Sequence, residues 1–270
     1  MNNKSQQLIQ LQQAMKENEY VHTGAYNTSL PESVTIDPNL QPIFDYNMRV
    51  VGAELLSRVV DGSDNNISEH FYNTGSCVSR LSATKASINY LTKHYSSLPN
   101  FIKGSPININ IDADALGNTS WIEEIISCCK SQPFNIRIEI TERYPILQTP
   151  SYLRNLKLIH QAGIALILDD FGSGHFNFDL LTLGLFTEVK FSNRFVRIAM
   201  KRDRQLRLLK ELNYYFSLHG MQTTIEGIEN ITEFDRAVET GCNKLQGYFM
   251  CEPFKIYDTA QNMELEYDYI

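Results

Sequence analysis

The chain is short of cysteine, has no long apolar run and carries no surplus of basic residues. Its five cysteines include the adjacent pair Cys128 and Cys129 but no CxxC spacing. That argues against a disulfide framework or a thiolate zinc site and fits a reducing cytosol. No stretch approaches the ~18 apolar residues of a membrane span. The opening MNNKSQQLIQLQQ lacks the apolar core of a signal peptide. The expected setting is therefore soluble cytoplasm, with no membrane partner. Net charge is −7, which disfavours DNA or RNA as a partner, because phosphate backbones demand clustered Lys and Arg. No basic helix-turn-helix-like segment stands at the N-terminus either. Six histidines without HExxH or equivalent spacing leave a zinc protease with little support. A phosphorylated ligand stays open, provided metal ions supply positive charge locally.

At 270 residues, 43% apolar and 11% aromatic, the chain is long enough for one large α/β domain with a substantial core. Residues 1–36 read as a leader. Leu8, Leu11 and Met15 fall at helical spacing before a loop-like stretch from Asn27 to Pro31. Such a helix packs on the domain or mediates dimerisation. Residues 259–270 form an acidic tail. Between them, over 37–258, short Ile- and Val-rich runs alternate with amphipathic stretches. Strands are expected at 49–54, 106–111, 135–141, 164–169, 187–191, 222–226 and 244–248, with a further run around Leu40–Tyr46. The helix over 151–162 puts Leu153, Leu156 and Ile159 on one face, and Gly163 ends it. Over 204–219 the expected inner face is Leu208, Leu209, Leu212 and Phe216, before Gly220. Over 231–240, Asn230 and Glu233 resemble a capping box, Phe234 and Val238 face inward, and Gly241 terminates. Repeated strand, helix and glycine imply a parallel sheet with helical crossovers. About eight strands favour a closed barrel over an open doubly wound sheet, although counting separates the two poorly.

Polar residues gather where the apolar runs end. Glu54 closes VVGAE, Asn110 lies late in ININI and Glu139 late in IRIEI. Asp169 and Asp170 end ALILDD, Lys190 ends TEVK, Glu226 ends TTIE, and Gln246 follows NKL. Taken singly, each acid is more often a helix N-cap than a ligand, and each amide more often satisfies backbone groups. Together, at one mouth of a parallel barrel, they would repel strongly without cations. Oxygen and amide donors without a histidine cluster suit Mg²⁺ or Mn²⁺ better than zinc. Adjacent aspartates can address two ions, as in two-metal phosphoryl-transfer sites. The following FGSGHFNF reads as a turn or a mobile loop, and Arg58 is within reach of a phosphate.

These residues, in this order, resemble the EAL family of cyclic di-GMP phosphodiesterases. The pieces are QPI (41–43), GAELLSR (52–58), NIN (108–110), EITE (139–142), DDFGSG (169–174), VK (189–190), EGIE (226–229) and QGY (246–248). The resemblance implies a modified (β/α)₈ TIM-type barrel, often dimeric, that binds cyclic di-GMP across the strand ends and opens it to pGpG with Mg²⁺ or Mn²⁺. By position it implies Glu54, Asn110, Glu139 and Asp169 as metal ligands and Asp170 as holder of a second ion. Lys190 would act on the attacking water, with Glu226 assisting at the metal or as base. Arg58 would contact phosphate, Gln41, Leu56 and Gln246 would shape the pocket, and Glu142, with Gly172 in the loop, would anchor the segment after Asp170. Three departures stand out. The signature triplet reads Glu-Leu-Leu at 54–56, Asp112 follows Asn110 where the family usually has Ser, and Ser192 stands where active members carry Asp. Ser192 weakens the expected second site. Three readings follow: an active phosphodiesterase, a cyclic di-GMP receptor with little or no turnover, and a scaffold acting through a regulatory protein partner.

Overall fold

The computed structural model describes residues 34–256, apart from residue 64 and residues 142–148 and 174–177. The leader helix, the acidic tail and Glu142 lie outside the described residues.

The chain enters through a hairpin. Strand β1 (Val34–Phe44) runs antiparallel to β2 (Val50–Asp61), with Gln41 opposite Glu54. Asp45 makes the turn, its Oδ1 accepting from the N–H groups of Asn47 at 2.8 Å and Arg49 at 2.9 Å. From β2 onward each strand lies parallel to the next: β3 (Ile107–Asp112), β4 (Ile136–Thr141), β5 (Leu166–Phe171), β6 (Phe186–Phe191), β7 (Gln222–Ile225) and β8 (Lys244–Leu245). Strand β1 then closes the ring by pairing antiparallel with β8 at Phe44 and Leu245. A short β9 (Phe254–Lys255) also pairs with β1, at Asn39 and Leu40. The barrel is thus closed but not uniformly parallel, which corrects the all-parallel expectation. Apolar alternation marks a strand and its faces and carries no direction, so the reversal of β1 left no sequence signal. That strand also begins well before the expected run.

Seven helices pack outside among the described residues: α1 (Ser68–Thr74), α2 (Cys77–His94), α3 (Thr119–Lys130), α4 (Pro150–Gln161), α5 (Asn193–Ala199), α6 (Asp203–Leu218) and α7 (Ile231–Glu239). Five of the seven are capped locally at their starts. Ser76, Asn118, Thr149, Ser192 and Asn230 each accept a backbone N–H from the first turn. Glu233 reaches back to the Glu229 N–H at 2.8 Å, a near-reciprocal version of the expected box. On α6 the buried face is Leu206, Leu209, Asn213 and Phe216, and Leu208 is 49% exposed. Asn213 took the inward position because its amide donates to the Thr240 hydroxyl at 2.8 Å, which an apolar count does not register. No helix among the described residues is long and apolar enough to cross a membrane.

The strands sort their side chains by the period of two. Ile107, Ile109 and Ile111, with Ile136, Ile138 and Ile140, are buried in the apolar core shared with the helices. The alternate positions are polar: Asn108, Asn110, Arg137, Glu139, Glu188, Lys190 and Lys244. They bond across non-adjacent strands, as Arg137 of β4 does with Glu188 of β6 at 2.8 Å, and that requires a shared lumen. The lumen is therefore filled by ions and amides in two tiers.

Candidate active site

The upper tier centres on Lys190. Its ammonium is 1% exposed and lies 2.9 Å from Glu54, 2.9 Å from Glu139, 2.5 Å from Glu226 and 3.6 Å from Asp169. Strands β2, β4, β5 and β6 and the residue after β7 thus deliver the acids and the lysine to one point. Glu54 is held on three sides, by Lys190, by Asn110 Nδ2 at 2.7 Å and by Gln246 Nε2 at 3.0 Å. Glu139 has both oxygens engaged, one by Lys190 and one by Asn108 Nδ2 at 2.6 Å.

Adjacent residues of a strand normally point to opposite faces. Asp169 and Asp170 nevertheless both address the mouth. The β5–β6 register slips between Leu168 and Phe171, and Asp170 adopts φ +59°, a left-handed conformation uncommon outside glycine. The slip brings carboxylate oxygens of Asp169, Asp170 and Glu226 within 4.8 Å of one another. Non-glycine residues in this region cost free energy and cluster at functional sites.

Charge governs the cluster. Burial pushes the Glu54 carboxyl up, but the Lys190 charge and three side-chain hydrogen bonds outweigh it and hold it below its ordinary range. Glu139 is pushed up to about 8, chiefly by burial, then by Glu54, with Lys190 opposing. Glu226 rises to about 7 for the same leading reason, and burial drives Asp169 well above its usual value. Burial alone would lower Lys190, yet the surrounding acids hold its ammonium well above the normal lysine range. One ammonium faces four carboxylates, and Asp169 Oδ1 is buried without a hydrogen bond. The donor set therefore fits a hard divalent cation, which would replace the protons that these acids otherwise retain.

Above the cluster opens a cavity of about 570 Å³. Glu54, Leu56 and Arg58 line it together, as alternate residues of β2 must, along with Asn110, Asp169 and Asp170. Tyr72 and Arg80, from helices α1 and α2, complete the far wall. Asp112 raised the alternatives of an extra ligand or a repulsive charge. Here its charge meets Arg80 Nε at 2.6 Å, and it accepts from the Thr141 hydroxyl at 2.6 Å. Gln41 and Gln246 are buried behind Glu54 rather than lining the cavity. Gln246 donates to Gln41 Oε1 at 3.1 Å, and Gln41 donates to the Cys251 carbonyl at 3.2 Å. Gly172, at φ +93°, closes against the Phe195 ring.

Ser192 lies one position past β6 and is 2% exposed. Its hydroxyl accepts from the Phe195 N–H at 3.3 Å, capping α5. It is not among the residues lining the cavity.

Sequence reasoning missed Asn108, Arg137, Glu188 and Lys244, the lower tier. The signal was present: each sits two residues before a chosen residue on the same strand face. Gly247 is a second omission. A Cβ there would lie 2.2 Å from the Ile228 carbonyl oxygen, so glycine alone lets the loops after β7 and β8 clasp and set Glu226 beside Gln246. Gly247→Ala should cost ~1–3 kcal/mol, read as a lowered urea midpoint with unchanged m-value; an unchanged midpoint would count against the clasp.

Comparison with known proteins places this geometry. The cyclic di-GMP phosphodiesterase RocR of Pseudomonas aeruginosa is 29% identical over 155 residues, which cover 56% of this chain and 40% of RocR. PdeL of Escherichia coli, also named a cyclic di-GMP phosphodiesterase, is 25% identical over 54% of this chain and 41% of its own length. The chain spans about two fifths of the length of these relatives. Among solved structures, the EAL enzyme Bd1971, bound to cAMP and cyclic di-GMP, superposes with a TM-score of 0.75 at 17% identity. That match covers 96% of this chain and 69% of the other, and it establishes the shared fold. The EAL domain family model matches residues 25–253, and the chain belongs to that family.

Proposed function

We propose that the protein is a metal-dependent phosphodiesterase that opens cyclic di-GMP to linear pGpG, with Mg²⁺ or Mn²⁺ as cofactor. The observation that carries this reading is the Lys190-centred acid cluster beneath a cavity that also holds Arg58. The identity to RocR supports the substrate class. Glu54, Asn110, Glu139 and Asp169 would hold the first ion and Asp170 a second. When bound, such ions lower the pKa of a water and neutralise charge at the attacking and leaving oxygens.

The chain's own residues do the remaining work. Arg58 receives a phosphate oxygen at the cavity wall. Lys190 Nζ orients the attacking water by donating to it in place of one of its carboxylate partners. Glu226, 2.5 Å from Lys190 Nζ, takes the water's proton. Gln246 and Gln41 keep the Glu54 carboxylate fixed from behind. Glu142, from the resemblance, would tether the loop after Asp170.

Purified protein incubated with cyclic di-GMP and Mn²⁺ should yield pGpG by chromatography. Glu54→Ala should reduce the rate at least ~10²-fold; full activity in that variant would refute the assignment. One observation favours a second reading, a receptor with little turnover: Ser192 is committed to capping α5 and supplies no carboxylate. In that case the native protein binds cyclic di-GMP in calorimetry without releasing pGpG, and Ser192→Asp, which retains a capping oxygen, restores turnover. An absence of binding would discard both readings.

A further inference from the structure

The mouth opposite the acid cluster holds a second cavity, of about 670 Å³. It is framed by the β1–β2 turn and by the N-terminal ends of β2, β4, β7 and β8, so the barrel separates it from the site described above. Its floor is the lower ionic tier. Arg137 and Lys244 share one acid, Glu188, whose Oε2 lies 2.8 Å and 2.5 Å from them, while the Thr224 hydroxyl donates to Oε1 at 2.6 Å. Two cations against one anion leave this buried layer with a formal surplus of one positive charge.

The surplus has an uncommitted donor. Arg137 is 8% exposed; its Nε donates to Asn108 and its Nη1 to Glu188, but its Nη2 has no hydrogen-bond partner. A buried guanidinium nitrogen left unpaired costs free energy that a bound acceptor would recover. Gly52 lets the backbone of β2 pack close to it, since a Cβ there would lie 3.4 Å from Nη2 and 3.3 Å from the Pro106 carbonyl oxygen. The one carboxylate at the rim, Asp45, is engaged by the backbone N–H groups of its own turn. The walls are apolar or aromatic: Val51, Pro106, Val238 and the exposed ring of Tyr46. A volume of this size suits a small organic molecule rather than a bare ion.

We propose that this lower mouth is a second ligand site, taking a small molecule with a phosphate or carboxylate head on an apolar body, anchored by Arg137 Nη2 above the Arg137–Glu188–Lys244 layer. A charge-assisted hydrogen bond in a half-enclosed pocket supplies the orientation, and the apolar walls supply contact area. The site is independent of the phosphodiesterase reading.

The test uses the full chain without metal, so that no bound cation recruits the probe to the upper mouth. Phenyl phosphate and benzoate are titrated separately by calorimetry at fixed ionic strength, which distinguishes a phosphate head from a carboxylate one. Binding by at least one probe is expected. Gln222 lines the rim and is exposed, so its substitution spares the fold. Gln222→Glu should weaken the bound probe about 3–10-fold and Gln222→Lys should strengthen it by a similar factor. Arg137→Met should weaken it at least ~10-fold; if that variant does not fold, the Gln222 pair decides alone. No binding of either probe by the native chain would overturn the site. Equal affinities across the Gln222 variants, or full binding by folded Arg137→Met, would overturn it too.

Discussion

Lys190→Met should abolish turnover and also leave the metal-free protein less stable by ~3–5 kcal/mol at pH 8. Both effects share one cause. The ammonium lies within 3.6 Å of four carboxylates and is 1% exposed. Removing one partner of a buried ionic group is far costlier than the net worth of the group, because the remaining charges keep their desolvation penalty. Methionine fills similar volume, so packing loss contributes little. For turnover, losing the donor that orients the attacking water should cost ~10²–10⁴-fold.

The stability effect carries a pH signature that separates it from simple misfolding. Glu139, Asp169 and Glu226 have raised carboxyl values even with Lys190 in place. In the variant they lose the one opposing charge and rise further. The folded state then binds more protons than the unfolded state across the interval from ordinary carboxyl values up to the raised ones. Stability must fall with rising pH throughout that interval. Denaturant titrations of Lys190→Met at pH 5.5 and pH 8 should therefore show a small deficit in acid and a large one in mild base. A deficit independent of pH would mean that lost packing, not uncompensated charge, explains the variant.

What the sequence disclosed, and what it withheld, divides along local and non-local lines. Glu54, Glu139, Asp169, Lys190 and Glu226 were legible because each ends an apolar run, and parallel strands gather their ends at one mouth. Their convergence on a single lysine was not legible, since it depends on barrel stagger rather than on spacing. The Asp169–Asp170 pair read as two ligands from its chemistry. Only the register slip and the left-handed Asp170 explain how neighbours on one strand reach the same site. Asp112 looked ambiguous because its partner, Arg80, comes from α2, in a stretch of weak patterning. Leu208 misled because composition cannot distinguish a leucine stripe from a stripe that includes a hydrogen-bonded Asn213. The lower tier hid in plain alternation: Arg137, Glu188 and Lys244 looked like the solvent face of half-buried strands, whereas a closed barrel has no solvent there.

Metal binding should release protons and tighten steeply with pH. Below about 7 the cluster retains protons on Glu226 and Glu139, and a divalent cation must displace those on its ligands. Each proton displaced contributes up to about tenfold in affinity per pH unit below the carboxyl value, since one unit corresponds to ~1.4 kcal/mol. Mn²⁺ affinity should therefore rise by roughly 10²-fold or more from pH 6 to pH 8 and flatten above the Glu139 value of about 8. Calorimetry in two buffers of different ionisation enthalpy counts the protons directly: between one and two near pH 7, and close to none at pH 9. Affinity independent of pH would mean that the cation binds elsewhere than among these acids. Stoichiometry from the same titrations addresses Ser192. With that hydroxyl capping α5, the native chain should take up one ion tightly and a second only weakly, and Ser192→Asp should tighten the second while leaving the first unchanged. Two tight ions in the native chain would show that Asp170 and its neighbours complete the second site without a carboxylate at 192, and the slow-turnover reading would lose its support.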